Sequence, residues 1–356
     1  MKSPQLIIMK VFAALVSLLL TSEAWSAYLE QDYGEHRTPP PERIIHPPLP
    51  RNEICGLISR VLVGRPYTVK NLTVFPLQLA RPWGHADYMT LDEGLSRGYI
   101  EILEEEHPDV RSVLVRNISP HYVLFMAGEA LGGGKQNRLI SEDVLLGPHG
   151  RPVRVPVYCI EKGRWSEGGR DFRSGRFMAP SSVRGLAQEK ASQRALWDRV
   201  SGLLGETGTR SENEDLAAVY ENEKVASEIA SFRRDIRIPF DETVGCVVVV
   251  NGRISGADVF SSPELFRKLW GKLLDSYAVD AIAREIPSRE WREPWPSEHE
   301  IRRFLDRVFR ASFRERDARD SGRIVELAGP EIDGEGLVFR GEVVHVHLTP
   351  QREVRF

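Results

Sequence analysis

Two apolar, strand-like stretches of this chain each run into a knot of charge, amide and glycine. That pairing constrains the fold more than any other feature. The first knot is Gly128-Glu129-Ala130-Leu131-Gly132-Gly133-Gly134-Lys135-Gln136-Asn137-Arg138. The second follows Val155-Pro156-Val157-Tyr158-Cys159-Ile160 and reads Glu161-Lys162-Gly163-Arg164-Trp165. Packing alone rarely produces such knots, so the candidate site is placed at these two strand ends.

The second stretch alternates cleanly. Val153, Val155, Val157, Cys159 and Glu161 share one face of a strand. Cys159 is therefore expected to pack as a small apolar residue. Glu161 continues the inward face and needs a partner there, with Arg164 or Lys135 as the expected one. Further strands are expected at 67–75, 99–103, 111–117 and 122–127, and a short helix at 90–96 with Thr90 and Glu93 at capping-box spacing. Residues 163–185 are rich in Gly, Ser and Arg without apolar periodicity, which predicts a long basic loop. Helices are expected at 187–204, 212–231, 262–284 and 297–315. A hairpin is expected at 244–260 around Asn251-Gly252, and a closing meander over 323–348. Strands that cluster early and return late predict an α+β fold, with a mainly antiparallel, sandwich- or barrel-like β core and several packed helices.

Ahead of this region lie Lys2 and Lys10, an apolar run from Val11 to Leu20, and small or polar residues to Ala27. The pattern predicts a secretory signal peptide over 1–27, followed by a Pro-rich lead-in over 28–50 and one α+β domain over 51–350. Export implies a secreted or periplasmic protein with no membrane span after cleavage. A net charge of −3 gives no argument for nucleic-acid binding. Cys55, Cys159 and Cys246 allow at most one disulfide and show no metal-ligand spacing. His345 and His347 share a strand face without a visible third ligand, so they are read as an exposed polar face, and no metal site is assigned. The sequence specifies neither a cofactor nor an oligomeric state.

Within the knots, Lys135, Arg138 and Arg164 are candidate anion clamps, since guanidinium and ammonium groups suit carboxylates and phosphates. Gln136 and Asn137 suit a hydroxyl, an amide or a base edge. Trp165 is a stacking platform or a buried ring. Glu129 and Glu161 are the candidates for acid–base work, provided their environments separate their proton affinities. Phosphate-loop chemistry is excluded, because Gln136 follows Lys135 and Glu129 stands where that motif needs glycine. The triple glycine instead offers backbone N–H groups to an anion, or marks a bulge or tight hairpin.

The order Gly-Glu, Gly-x-Lys-Gln-Asn-Arg, Pro-Val-x-Cys-x-Glu-x-Gly-Arg-Trp resembles the ARG and rhodanese-phosphatase-superfamily-associated protein domain. It falls here on Gly128, Glu129, Gly133, Lys135, Gln136, Asn137, Arg138, Pro156, Val157, Cys159, Glu161, Gly163, Arg164 and Trp165. The close match covers about 40 residues, with Gly134 where alanine is frequent. The resemblance implies a link to ADP-ribose or NAD metabolism through genomic association with ADP-ribosylglycohydrolases. Two readings stand. In one, an exported protein handles a small anionic ligand such as a nucleotide or an ADP-ribose-like substrate. In the other, a non-catalytic secreted module uses the Glu/Lys/Arg cluster as a buried scaffold.

Overall fold

The strand Thr243–Val250 shows how the chain is assembled. All eight of its residues are buried, the mark of a strand covered on both faces. Cys246, Val248 and Val250 face one core, while Val247 and Val249 face another. Its partner Arg253–Phe260 is joined through Asn251 and Gly252, whose φ values of 51° and 76° suit a tight hairpin. The computed structural model describes residues 52–80, 87–103, 111–163, 170–285 and 295–351.

This hairpin sits inside a nine-stranded sheet. The order is Leu62–Val63, Leu72–Gln78, Thr243–Val250, Arg253–Phe260, Glu342–Pro350, Ile332–Phe339, Arg323–Gly329, Ser312–Asp317, with Tyr67–Val69 also pairing Leu72–Gln78. Helices Gln193–Glu206, Glu223–Asp235 and Pro263–Ala283 supply apolar residues to the core on one face. Helices Glu53–Ile58 and Glu298–Asp306 supply the core on the other. A six-stranded sheet runs Arg170–Met178, Glu129–Gly134, Arg138–Ile140, Val153–Cys159, Ser112–Asn117, Ile100–Leu103. With a three-stranded sheet it contributes a separate core that includes Val115, Phe125, Ile140 and Val155. The architecture is α+β, with a nearly closed, barrel-like sheet and strands antiparallel except where Met89–Thr90 meets Val123–Leu124. Pro50–Phe356 forms one compact unit. The expected signal peptide and lead-in lie outside the described residues.

Several local expectations hold. Thr90 and Glu93 form the capping box, and Ser262 caps the helix that Pro263 opens. Others are corrected. The expected basic loop over 163–185 contains strand Arg170–Met178 and the start of helix Ser181–Gln188. Two register shifts against Glu129–Gly134 break the strand's alternation, which hides it from a periodicity argument. The stretch 67–75 is two strands of a hairpin, because Lys70 takes φ 51°. The helix expected over 297–315 ends at Asp306, and Ser312–Asp317 is a strand against Arg323–Gly329. The stretch 212–231 holds helices Ala217–Glu221 and Glu223–Asp235, parted by Asn222, which caps the second. His345 and His347 are not an exposed face: both are fully buried against Asp143 and Asp258.

Candidate functional site

Strand Glu129–Gly134 carries Gly133 at φ 111°, and a Cβ there would lie 2.4 Å from the Asp171 carbonyl oxygen. Only glycine permits this approach of strand Arg170–Met178. The chain then reverses through 135–137 into Arg138–Ile140, and Asn137 takes a central place. Its Oδ1 accepts from the Gly133 N–H at 3.0 Å. Its own N–H donates to Glu161 Oε2 at 3.1 Å, and its Nδ2 donates to Asp215 Oδ2 at 2.8 Å. The Gly133 N–H is thus engaged by a side chain. Of the two readings of the triple glycine, an anion-facing backbone or a bulge or tight hairpin, the pairing of Glu129–Gly134 with Arg138–Ile140 fits the hairpin.

Glu161 is buried beyond the end of strand Val153–Cys159. Its Oε1 accepts from Asn213 Nδ2 at 3.4 Å. Asp215 reaches it by an isolated backbone bridge, continued by the Leu216 N–H donating to the Ile160 carbonyl at 3.0 Å. Two carboxylates from distant parts of the sequence therefore meet over one asparagine. Burial first, then the nearby Glu161 charge, push the Asp215 carboxyl up to about 6, against hydrogen bonds from the Ala217 N–H and Asn137 that lower it. A carboxyl in that range exchanges its proton near neutral pH, as acid–base work requires.

Both carboxylates line an open cavity of about 660 Å³. Asp171 and Glu221 add acidic charge to its wall, and Arg173 and Arg176 on strand Arg170–Met178 supply the opposing positive charge. Arg176 is exposed and holds φ 59°, an uncommon backbone state for a residue with a side chain, at a shift in the strand register. Such outliers concentrate at functional sites.

The remaining knot residues are placed as follows. Gln136 is buried, donating to the Glu161 carbonyl at 2.8 Å and accepting from Arg138 Nη1 at 3.2 Å. Arg138 is also buried and donates to Cys159 Sγ at 2.8 Å. Lys135 is half-buried and, like Gln136 and Arg138, is not on the cavity wall. Glu129 is fully buried elsewhere: it accepts from Lys272 Nζ and the Met126 N–H, at 2.8 and 2.9 Å. Burial alone would lower the Lys272 ammonium, but the Glu129 and Asp92 carboxylates hold it above its ordinary value. Glu129 and Glu161 are therefore separate groups. Arg164 and Trp165 lie outside the described residues.

Sequence reasoning missed Asp215, Asn213, Arg173 and Arg176. Asp215 belongs to an ordinary acidic run, Glu212-Asn213-Glu214-Asp215, and no local signal ties it to Glu161. The two arginines were visible only as part of a local basic excess. Among the described residues, no group of His, Cys, Asp and Glu has the arrangement to hold a metal ion, and no helix is long and apolar enough to cross a membrane.

No curated protein and no solved structure gives a match to this chain. A family model, that of the ARG and Rhodanese-Phosphatase-superfamily-associated Protein domain, matches residues 60–349. That span contains both polar knots, Asp215 and the strand that closes the cavity. The chain belongs to the family of the ARG and Rhodanese-Phosphatase-superfamily-associated Protein domain.

Proposed function

We propose that this is an exported protein that handles a small, anionic, hydroxyl-bearing ligand in the cavity beside Glu161 and Asp215. The observation that carries the reading is the carboxylate pair organised by Asn137 on an open wall. In this reading Asp215 takes up and releases a proton. Glu161 and Asn137 orient ligand hydroxyls, and Arg173 and Arg176 hold a phosphate or carboxylate at the rim. The anion-clamping role expected of Arg138 passes to these two arginines, because Arg138 is buried against Gln136 and Cys159. The pattern over residues 1–27 supports export. The genomic association with ADP-ribosylglycohydrolases that the resemblance implies makes ADP-ribose and related nucleotides the first ligands to test.

The second reading, a non-catalytic module with a buried scaffold, rests on the Gln136–Arg138–Cys159 and Glu129–Lys272 contacts, which join strands and helix away from the cavity. A thermal-shift panel of ribose 5-phosphate, AMP and ADP-ribose separates the two. A bound ligand stabilises the wild type by RT ln(1 + [L]/Kd), about 2.7 kcal/mol at a hundredfold excess over Kd, and Asp215→Asn abolishes the shift while staying folded. If none of the three moves the wild type, the scaffold reading replaces the first. N-terminal sequencing from the native host tests export; a mature start near Ala27 or Tyr28 is expected, and an intact Met1 in the cytosol refutes it.

A further inference from the structure

The cavity does not end at Arg176. A second cavity of about 320 Å³ adjoins it, and Gly175, Arg176, Phe177, Ala217 and Glu221 line both. The two differ in chemistry. The first holds the carboxylate pair, whereas the second runs along helix Glu223–Asp235 past Ala226, Ile229 and Ala230. The second is also lined by Arg233 and Asp275, which neutralise each other as an ion pair. One side is formed by Tyr220, whose ring stacks on Phe177 with centroids 4.4 Å apart and planes 23° from parallel. The Tyr220 hydroxyl donates to the Met178 carbonyl at 2.5 Å, so the ring is pinned at both ends. Arg176 stands at the junction on the bulged strand, its N–H donating to Ser174 Oγ at 2.9 Å.

We propose that the second cavity is a subsite for a planar ring, so that the ligand is a conjugate: a hydroxylated ring, an anionic link, and a flat ring. This rests on the function proposed above and deepens it. The hydroxylated ring lies against Glu161 and Asp215, where side-chain oxygens accept its hydrogen bonds. The anionic link lies at Arg176, the cation common to both cavities. The flat ring lies on the apolar side of Tyr220, in a groove floored by alanines whose small side chains leave room for it. Pinned aromatic rings and a cation set beside them suit a π-face with little ordering cost.

Isothermal titration with ribose 5-phosphate and ADP-ribose tests the subsite. The second ligand adds an AMP unit to the first, a flat ring carried on a second ribose through a pyrophosphate link, and a groove-filling variant separates the ring from the rest. ADP-ribose should bind roughly tenfold more tightly or better, the gain expected for stacking one base. The double variant Ala226→Leu and Ala230→Leu fills the groove at exposed helix positions with a good helix former. It should reduce ADP-ribose to the affinity of ribose 5-phosphate and leave ribose 5-phosphate unchanged. A single Ala230→Leu variant should give an intermediate loss, which guards against misfolding of the double. Equal affinities in the wild type, or an advantage that survives the double variant, overturn the subsite while leaving the carboxylate site intact. Binding of neither ligand overturns both.

Discussion

Replacing His345 with glutamine should remove a stabilisation that depends on pH in a defined direction. His345 is fully buried, with Nδ1 2.6 Å from Asp143 Oδ2 and Nε2 3.2 Å from Asp258 Oδ1. Burial alone would lower its proton affinity. The Asp143 carboxylate, with the Asp258 contacts, outweighs burial and raises it from 6.5 to about 9. The neighbours that share this pocket are Arg184, which pairs with Asp258, the Tyr277 hydroxyl, and His347. His347 is lowered instead, by burial first and then by Arg184 and His345, against Asp258. At about 1.4 kcal/mol for each tenfold change in proton affinity, the His345 displacement amounts to about 3 kcal/mol of folding stability. Because the folded value lies above the unfolded one, this stability is fully present below pH 6.5 and is lost as pH rises through about 9. Urea unfolding of wild type and His345→Gln between pH 7 and 9.5 reads it, since groups away from this pocket titrate alike in both proteins and the His347 that His345 depresses is already neutral over most of that range. The stability advantage of the wild type should shrink by about 2 kcal/mol across that range. A difference that stays constant with pH would show that His345 is neutral in the folded protein and refute the charge assignment.

Asp215→Asn should bind ligand poorly yet be at least as stable as wild type above pH 6. The folded carboxyl is raised, so its stabilising contribution is lost as pH climbs from 3.8 through about 6, and removal of that slope is read from melting temperatures over pH 4–7. Lys272→Met leaves the Glu129 carboxylate buried without its cation and should cost about 3–5 kcal/mol by urea unfolding, whereas adding Glu129→Leu should recover much of it. Gly128→Ala forces a side chain onto φ 94° and places a Cβ 2.2 Å from Arg184 Cδ. It should cost at least about 1–3 kcal/mol, and full native stability would show that both the backbone at 128 and the Arg184 side chain adjust freely.

What the sequence determined by itself was whatever a short window can encode. Eight consecutive apolar or small residues from Thr243 ended in Asn-Gly, and that alone called for a buried strand and a hairpin. Thr90 with Glu93, and Ser262 with Pro263, marked helix starts because a cap is satisfied within one turn. The two polar knots singled out a candidate site, and the structure does bring Asn137 and Glu161 together. Tertiary structure alone decided which partners each knot received. Asp215 lies far along the chain from Asn137 and Glu161, and only the bridge between the segments makes the carboxylate pair. The Arg170–Met178 strand was hidden because its bulges erase the two-residue period, and strand identity then rests on its neighbour Glu129–Gly134. His345 and His347 show the same limit. An alternating His-Val-His reads as a wet strand face unless the carboxylates and guanidinium that neutralise it in a dry core, Asp143, Asp258 and Arg184, are seen to converge there.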